Sequence, residues 1–170
     1  MRSSSYAPQT AEALIETIPI SGNLDHFWKD MLELEENGEI IKNRFGTYGL
    51  PEKMGLVVGR FQLTSKGFGF VIPDNKGERP DVFIPPRALG GAMNNDRVMA
   101  RVESSSGGNK PEGEIIRIIT HANNKIVGIF HQSGDFGFVT PDDKRIGQDI
   151  YIMKRHFGGA KTNQKVVAEI

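Results

Sequence analysis

The sequence predicts a mainly β protein in which one five-strand barrel unit occurs twice in tandem, behind a small segment that carries helices. Three observations carry this expectation. Short motifs in the second half recur at a fixed spacing, β-branched and aromatic residues crowd into short runs, and Gly, Pro, Asn and Asp separate those runs.

The repeat is direct. Val58-Gly59-Arg60-Phe61 recurs as Val127-Gly128-Ile129-Phe130, and Phe68-Gly69-Phe70-Val71-Ile72-Pro73-Asp74 as Phe136-Gly137-Phe138-Val139-Thr140-Pro141-Asp142. Asp81-Val82-Phe83-Ile84 recurs as Asp149-Ile150-Tyr151-Ile152, and Gly90-Gly91-Ala92 as Gly158-Gly159-Ala160. From Phe68 to Val102 the offset stays at 68 without a gap over 35 positions.

Strands are expected at 56–63, 67–72, 82–85 and 97–102, with 114–120 as the fifth of the first copy. Five short strands with a brief Gly-containing turn after the third are the pattern of an OB-type barrel. The second copy supplies four strands before Ile170, so its barrel is expected to lack the last strand. An intact barrel would pair that edge, which makes the sequence read as the front part of a longer protein. The expected units are 1–54, 55–123 and 124–170.

In the front unit, apolar residues at 24, 27, 28, 31, 32 and 34 have helical spacing, and Gly38 suits the end of a helix over 24–37. A shorter helix at 10–18 closes at Pro19, and 39–50 reads as a hairpin turning at Arg44-Phe45-Gly46. Two helices followed by a hairpin is the order of a winged helix without its usual first helix. The second helix offers Asp25, Asp30, Glu33, Glu35 and Glu36, which repel phosphate, against only Lys42 and Arg44 on the wing. A packing or partner-binding role fits better than DNA reading.

Charge supports this division. Net charge is zero overall, but 1–54 carries 5 Lys+Arg against 9 Asp+Glu, and 55–170 carries 16 against 12. The absence of cysteine excludes disulfides, thiolate metal sites and cysteine nucleophiles. No apolar run is long enough to cross a bilayer and MRSSSYAPQT has no signal-peptide core, so a cytoplasmic protein without a membrane partner is expected. His26, His121, His131 and His156 lack ligand spacing, and Asp142-Asp143 reads as a solvated turn. Asp135-Phe136-Gly137 mimics a kinase triplet without any other kinase signature, and 105–110 lacks phosphate-loop spacing. These 170 residues are therefore expected to have no catalytic residues, no metal site and no small-molecule cofactor.

The candidate chemistry is aromatic. The chain has 10 Phe, 3 Tyr and 1 Trp, and eight of them hold matched positions in the two copies: Phe61, Phe68, Phe70, Phe83, Phe130, Phe136, Phe138 and Tyr151. Residues two apart share a strand face, so Phe68 and Phe70 project together. With Val82 and Ile84 filling the core, Phe83 points outward. Outward rings on neighbouring strands make a stacking surface for unpaired bases, with Lys66 on the phosphates. The second copy is expected to bind less tightly, because Gly134 replaces Lys66 and Asp135 adds a repelling charge; Arg145, Lys154, Arg155, His156 and Lys161 compensate.

These residues resemble the cold-shock domain, whose two RNA-binding motifs have the form KGFGF and VF(V/I)H. The first stands intact at Lys66–Phe70, whereas Pro85 and Met153 replace the histidine of the second. Phe61 and Phe130 lie where cold-shock proteins place a stacking tryptophan, so the resemblance implies a stacking role for both. The order of units, 32–40 (LELEENGEI), 48–54 (YGLPEKM) and 138–145 (FVTPDDKR) are similar to the ribonuclease R branch of the ribonuclease II family. Turn glycines of that family are replaced by Asn95 and Asn163, and Asn tolerates a left-handed backbone. The resemblance implies a front end that binds single-stranded RNA and delivers it to a downstream domain, where clustered aspartates hold Mg2+ for 3′-to-5′ hydrolysis. A stand-alone cold-shock-type RNA chaperone or regulator, and a protein-interaction scaffold, are the other readings of the same residues.

Overall fold

The computed structural model describes residues 7–19, 23–75, 79–103 and 111–170. The segment 105–110, which lacks phosphate-loop spacing, lies outside the described residues.

The front unit begins with α1 (Ala11–Thr17), whose first turn is capped by the Thr10 hydroxyl accepting from the Ala13 amide at 3.3 Å. α2 (Leu24–Glu36) is capped by Asn23 and ends at Gly38, whose φ of 70° is the left-handed conformation that closes a helix. β1 (Ile41–Lys42) and β2 (Tyr48–Gly49) form the hairpin, and the Asn43 side chain organises its turn by accepting from the amides of Phe45 and Thr47. Ala11, Leu14, Phe27, Met31, Ile40 and Tyr48 form the small core of this unit.

Five strands follow and close a barrel: β3 (Leu56–Leu63), β4 (Gly69–Pro73), β5 (Val82–Ile84), β6 (Arg97–Glu103) and β7 (Glu112–Thr120). Around the barrel they run β3-β4-β5-β7-β6, with β5 and β7 parallel and β6 returning to β3. The core is apolar and alternates along each strand: Val57, Phe61, Leu63, Val71, Val82, Ile84, Val98, Ala100 and Ile115 face inward. The second copy comprises β8 (Lys125–Ser133), β9 (Phe136–Pro141), β10 (Ile150–Met153) and β11 (Lys165–Glu169), ordered β10-β9-β8-β11. That is the order of the first barrel without its fifth strand, a half-barrel. Its core cluster, Phe130, Val139 and Ala168, is smaller, and Ile150, Ile152 and Val166 stay half-buried where their counterparts Val82, Ile84 and Val98 are sealed.

The repeat extends to individual hydrogen bonds. Asn95 and Asn163 adopt φ of 72° and 70°, and each donates its amide to the buried Phe of its copy, at 2.8 Å to Phe61 O and to Phe130 O. At the next position both side chains accept from the amide three residues earlier, Gln164 from Lys161 and Asp96 from Met93, but Asp96 also engages His121 Nδ1 at 2.9 Å and the Ala122 amide at 2.9 Å. Asp96 is fully buried, and it ties the exit of the first barrel to its own turn. Asp96→Ala strands these donors and is expected to lower barrel stability by about 2–3 kcal/mol, measured by urea unfolding.

Barrel and front unit are joined by arginines. Arg97 donates to the Asn37 carbonyl at 2.7 Å and Arg117 to the Glu35 carbonyl at 3.1 Å, both at the negative end of α2. Asp74 holds the Arg97 guanidinium in place through Nε and Nη2, at 3.0 and 2.8 Å.

Candidate nucleic-acid interface

Strand parity builds the site. β4 and β5 pair so that Val71 lies opposite Val82 and Gly69 opposite Ile84, all buried, while Phe70 lies directly opposite Phe83 on the outer face. Phe68 enters from the turn before β4, where Thr64 clamps it by donating both its amide and its hydroxyl to the Phe68 carbonyl. The three rings form a triangle with centroids 5.6–5.9 Å apart. Each is half-buried, so the rings brace one another and still present a surface. Lys66 is exposed in the adjoining turn, whose tip is formed by Gly67 at φ 83°.

The second copy opens further. Phe136 and Tyr151 stack at 5.7 Å and 25°, and are 42% and 63% exposed, more than any ring of the first triangle. Phe138, on the same face, stacks on His131 at 5.2 Å and 27°. His131, whose spacing in the sequence excluded only a metal-ligand role, thus joins this face. On β8 it follows Phe130, which the structure places inward, and so points outward.

Two expected stacking residues are corrected. Phe61 and Phe130 are 0% and 1% exposed, at the centre of the two cores. On β3 and β8 they fall on the inward parity, and the neighbouring glycines leave them room. A Cβ on Gly69 would meet the Phe61 ring, and one on Gly137 would come within 2.7 Å of Phe130 Cζ. The glycines of the two Phe-Gly-Phe motifs therefore admit a core ring as well as neighbouring backbone. Pro85 is likewise buried, whereas Met153 is exposed.

The charges rearrange the expectation for the second copy. Lys154 Nζ lies 2.6 Å from Asp135 Oδ1, and this hydrogen bond holds the Asp135 carboxyl below its usual range while cancelling the repulsion expected of it. Arg145 is turned back on Asp143, which its guanidinium likewise keeps ionised, and Asp142 pairs with Lys165 at 2.8 Å. Arg155, His156 and Lys161 are exposed, with Arg155 Nε donating to His156 Nε2 at 3.0 Å. On the front hairpin, Lys42 lies over the Tyr48 ring and Arg44 over that of Phe45. No group of three His, Asp or Glu suited to a metal ion occurs among the described residues.

An outward aromatic face flanked by Lys and Arg can stack unpaired bases and hold their phosphates. If both platforms stack bases, Phe136→Ala with Tyr151→Ala should lower affinity for oligouridylate about tenfold, read by fluorescence anisotropy.

Comparison with known proteins agrees with this architecture. Residues 59–118 match the family described as Ribonuclease B OB domain, and 138–170 match the Cold shock domain family. The chain is similar to Ribonuclease R of Thermotoga maritima, 37% identical over 81% of this chain and 19% of that protein. It is also similar to Ribonuclease R of Vibrio parahaemolyticus, 30% identical over 96% of this chain and 20% of that protein. The chain thus spans about a fifth of the length of these relatives. Among solved structures, yeast Ssd1, a pseudonuclease, matches 91% of this chain and 20% of its own at 12% identity, with a TM-score of 0.51. Mycoplasma genitalium RNase R in complex with ribose methylated single-stranded RNA matches 67% of this chain and 18% of its own at 16% identity, with a TM-score of 0.48.

Proposed function

As this chain belongs to the ribonuclease R family and fits the N-terminal region that carries its OB and cold-shock domains, we propose that it binds single-stranded RNA and delivers it to a downstream 3′-to-5′ exoribonuclease domain. The observation that carries this reading is the Phe68, Phe70 and Phe83 triangle on the outside of a barrel whose interior is already full. Three large apolar rings on an outer face add nothing to that sealed core and need another reason to be there. Stacking on bases is one such reason, and it is tolerant of sequence because every base has a π face.

In this reading residues 55–123 and 124–170 form two successive platforms, Lys66 and Arg155 guide the backbone, and Phe138 and Tyr151 extend the surface. Catalysis and its Mg2+ belong to a domain outside these 170 residues, in a cytoplasmic enzyme. No helix among the described residues is long and apolar enough to cross a membrane.

The test is binding of labelled oligouridylate and of a blunt RNA duplex at about 0.15 M ionic strength, where long-range attraction is screened beyond about 8 Å. Preference for the single strand is expected. Equal binding of the duplex removes the stacking reading, and binding of neither favours the protein scaffold. Clustered aspartates encoded beyond Ile170 distinguish the nuclease from a stand-alone RNA chaperone.

A further inference from the structure

We propose that the outer face of α2 is a docking surface for a basic amphipathic helix of a partner protein. α2 turns Phe27 and Met31 into the front core, yet Leu24, Trp28 and Leu32 recur every fourth residue on a second stripe. They are 51%, 46% and 58% exposed, so a 13-residue helix carries an apolar ridge that the described residues leave uncovered. Trp28 is already oriented, its ring set edge-on against Phe27 at 5.5 Å and 75°. A pre-set Trp flanked by two Leu is the composition of an interface anchor, and a ridge of every-fourth residues accepts the same ridge of a second helix.

Charge selects the occupant. At 100° per residue, Asp25, Glu35 and Glu36 border this stripe and Lys29 is the only Lys or Arg of α2 itself, while Arg97 and Arg117 reach the carbonyls at its C-terminal end. No acidic residue of α2 enters an ion pair among the described residues. Residues 1–54 carry 5 Lys+Arg against 9 Asp+Glu, so the surrounding surface has the same sign. RNA is repelled by this rim, and a second copy would set acid against acid. A helix with an apolar stripe between Lys or Arg residues matches both features, with apolar burial giving affinity and the charges steering approach.

Trp28 is the single Trp of the chain and reports directly. The 170-residue chain is titrated with a synthetic helix of Leu and Lys in amphipathic register, and with its Leu and Glu counterpart. The Lys helix is expected to give a saturable blue shift of Trp28 emission, and the Glu helix none. Leu24→Ser with Leu32→Ser is expected to weaken binding of the Lys helix more than about tenfold. Asp25→Lys with Glu36→Lys, which leaves the apolar ridge intact, is expected to weaken it about tenfold and to make it less sensitive to salt. Equal response to both helices, or unchanged affinity in either double variant, overturns the proposal. So does a Trp28 shift produced by oligouridylate, or by self-association of the chain seen in sedimentation.

Discussion

Replacing Phe68, Phe70 and Phe83 together by Ala is expected to weaken binding of oligouridylate by on the order of 100-fold, since each stacked base contributes about 1–3 kcal/mol. The rings lie within 5.6–5.9 Å of one another, so removing one lets the other two lean into its place and understates the platform. The triple variant avoids that compensation. Electrostatics cannot make up the loss. The remainder of the chain beyond residue 54 carries 16 Lys+Arg against 12 Asp+Glu, and that modest excess is screened at about 0.15 M ionic strength. Anisotropy at two salt concentrations checks the point: the affinity should fall while its salt dependence stays nearly the same, because the phosphate contacts persist. Inward residues such as Val71, Val82 and Ile84 are untouched, so the far-ultraviolet circular dichroism should remain that of the folded barrel. A folded triple variant with unchanged affinity would end the case for the platform.

The second large effect is the opposite experiment, on the buried ring. Phe61→Ala is expected to destabilise the first barrel by about 3–5 kcal/mol, the cost of emptying a sealed aromatic position. Gly69→Ala drives a methyl group toward the Phe61 ring and to 2.6 Å from the Gln62 carbonyl, and is expected to cost about 1–3 kcal/mol by overpacking. The two changes share one space. Combined with Phe61→Leu, the Gly69→Ala methyl meets a smaller neighbour, so the double variant should lose less than the sum of its parts, by about 1 kcal/mol in a double-mutant cycle. Urea unfolding followed by circular dichroism measures it. The fraction still folded should bind oligouridylate as the parent does, because Phe61 contributes packing and not stacking.

That division between Phe61 and its outward neighbours shows where sequence reasoning reaches and where it stops. The constant offset between the copies made the repeat legible, and with it the succession of strands along the chain and the missing fifth strand of the second copy. Parity was legible on β5, where Val82 and Ile84 alternate with a single Phe. The left-handed turns at Asn95 and Asn163 were legible too, because few residues other than Gly accept that backbone. β3 was less direct: Leu56, Val57 and Val58 put apolar side chains on both faces, and only Arg60 and Gln62, alternating with Phe61 and Leu63, mark the outward side. The resemblance to a stacking tryptophan then pointed outward, and barrel closure placed the ring inside.

The amino-acid order by itself determined the strands, their turns, the duplication and the pool of aromatic residues, since these follow from local periodicity and backbone preference. Tertiary structure alone decided how far the outward rings stand clear of the surface, that Lys154 pairs with Asp135, and that His131 stacks on Phe138. It also decided that Arg97 and Arg117 reach back 60 and 82 residues to the end of α2. The physical reason is common to all of these. Each depends on the distance between groups remote in the chain, and only closure of the sheet and docking of the helix set that distance.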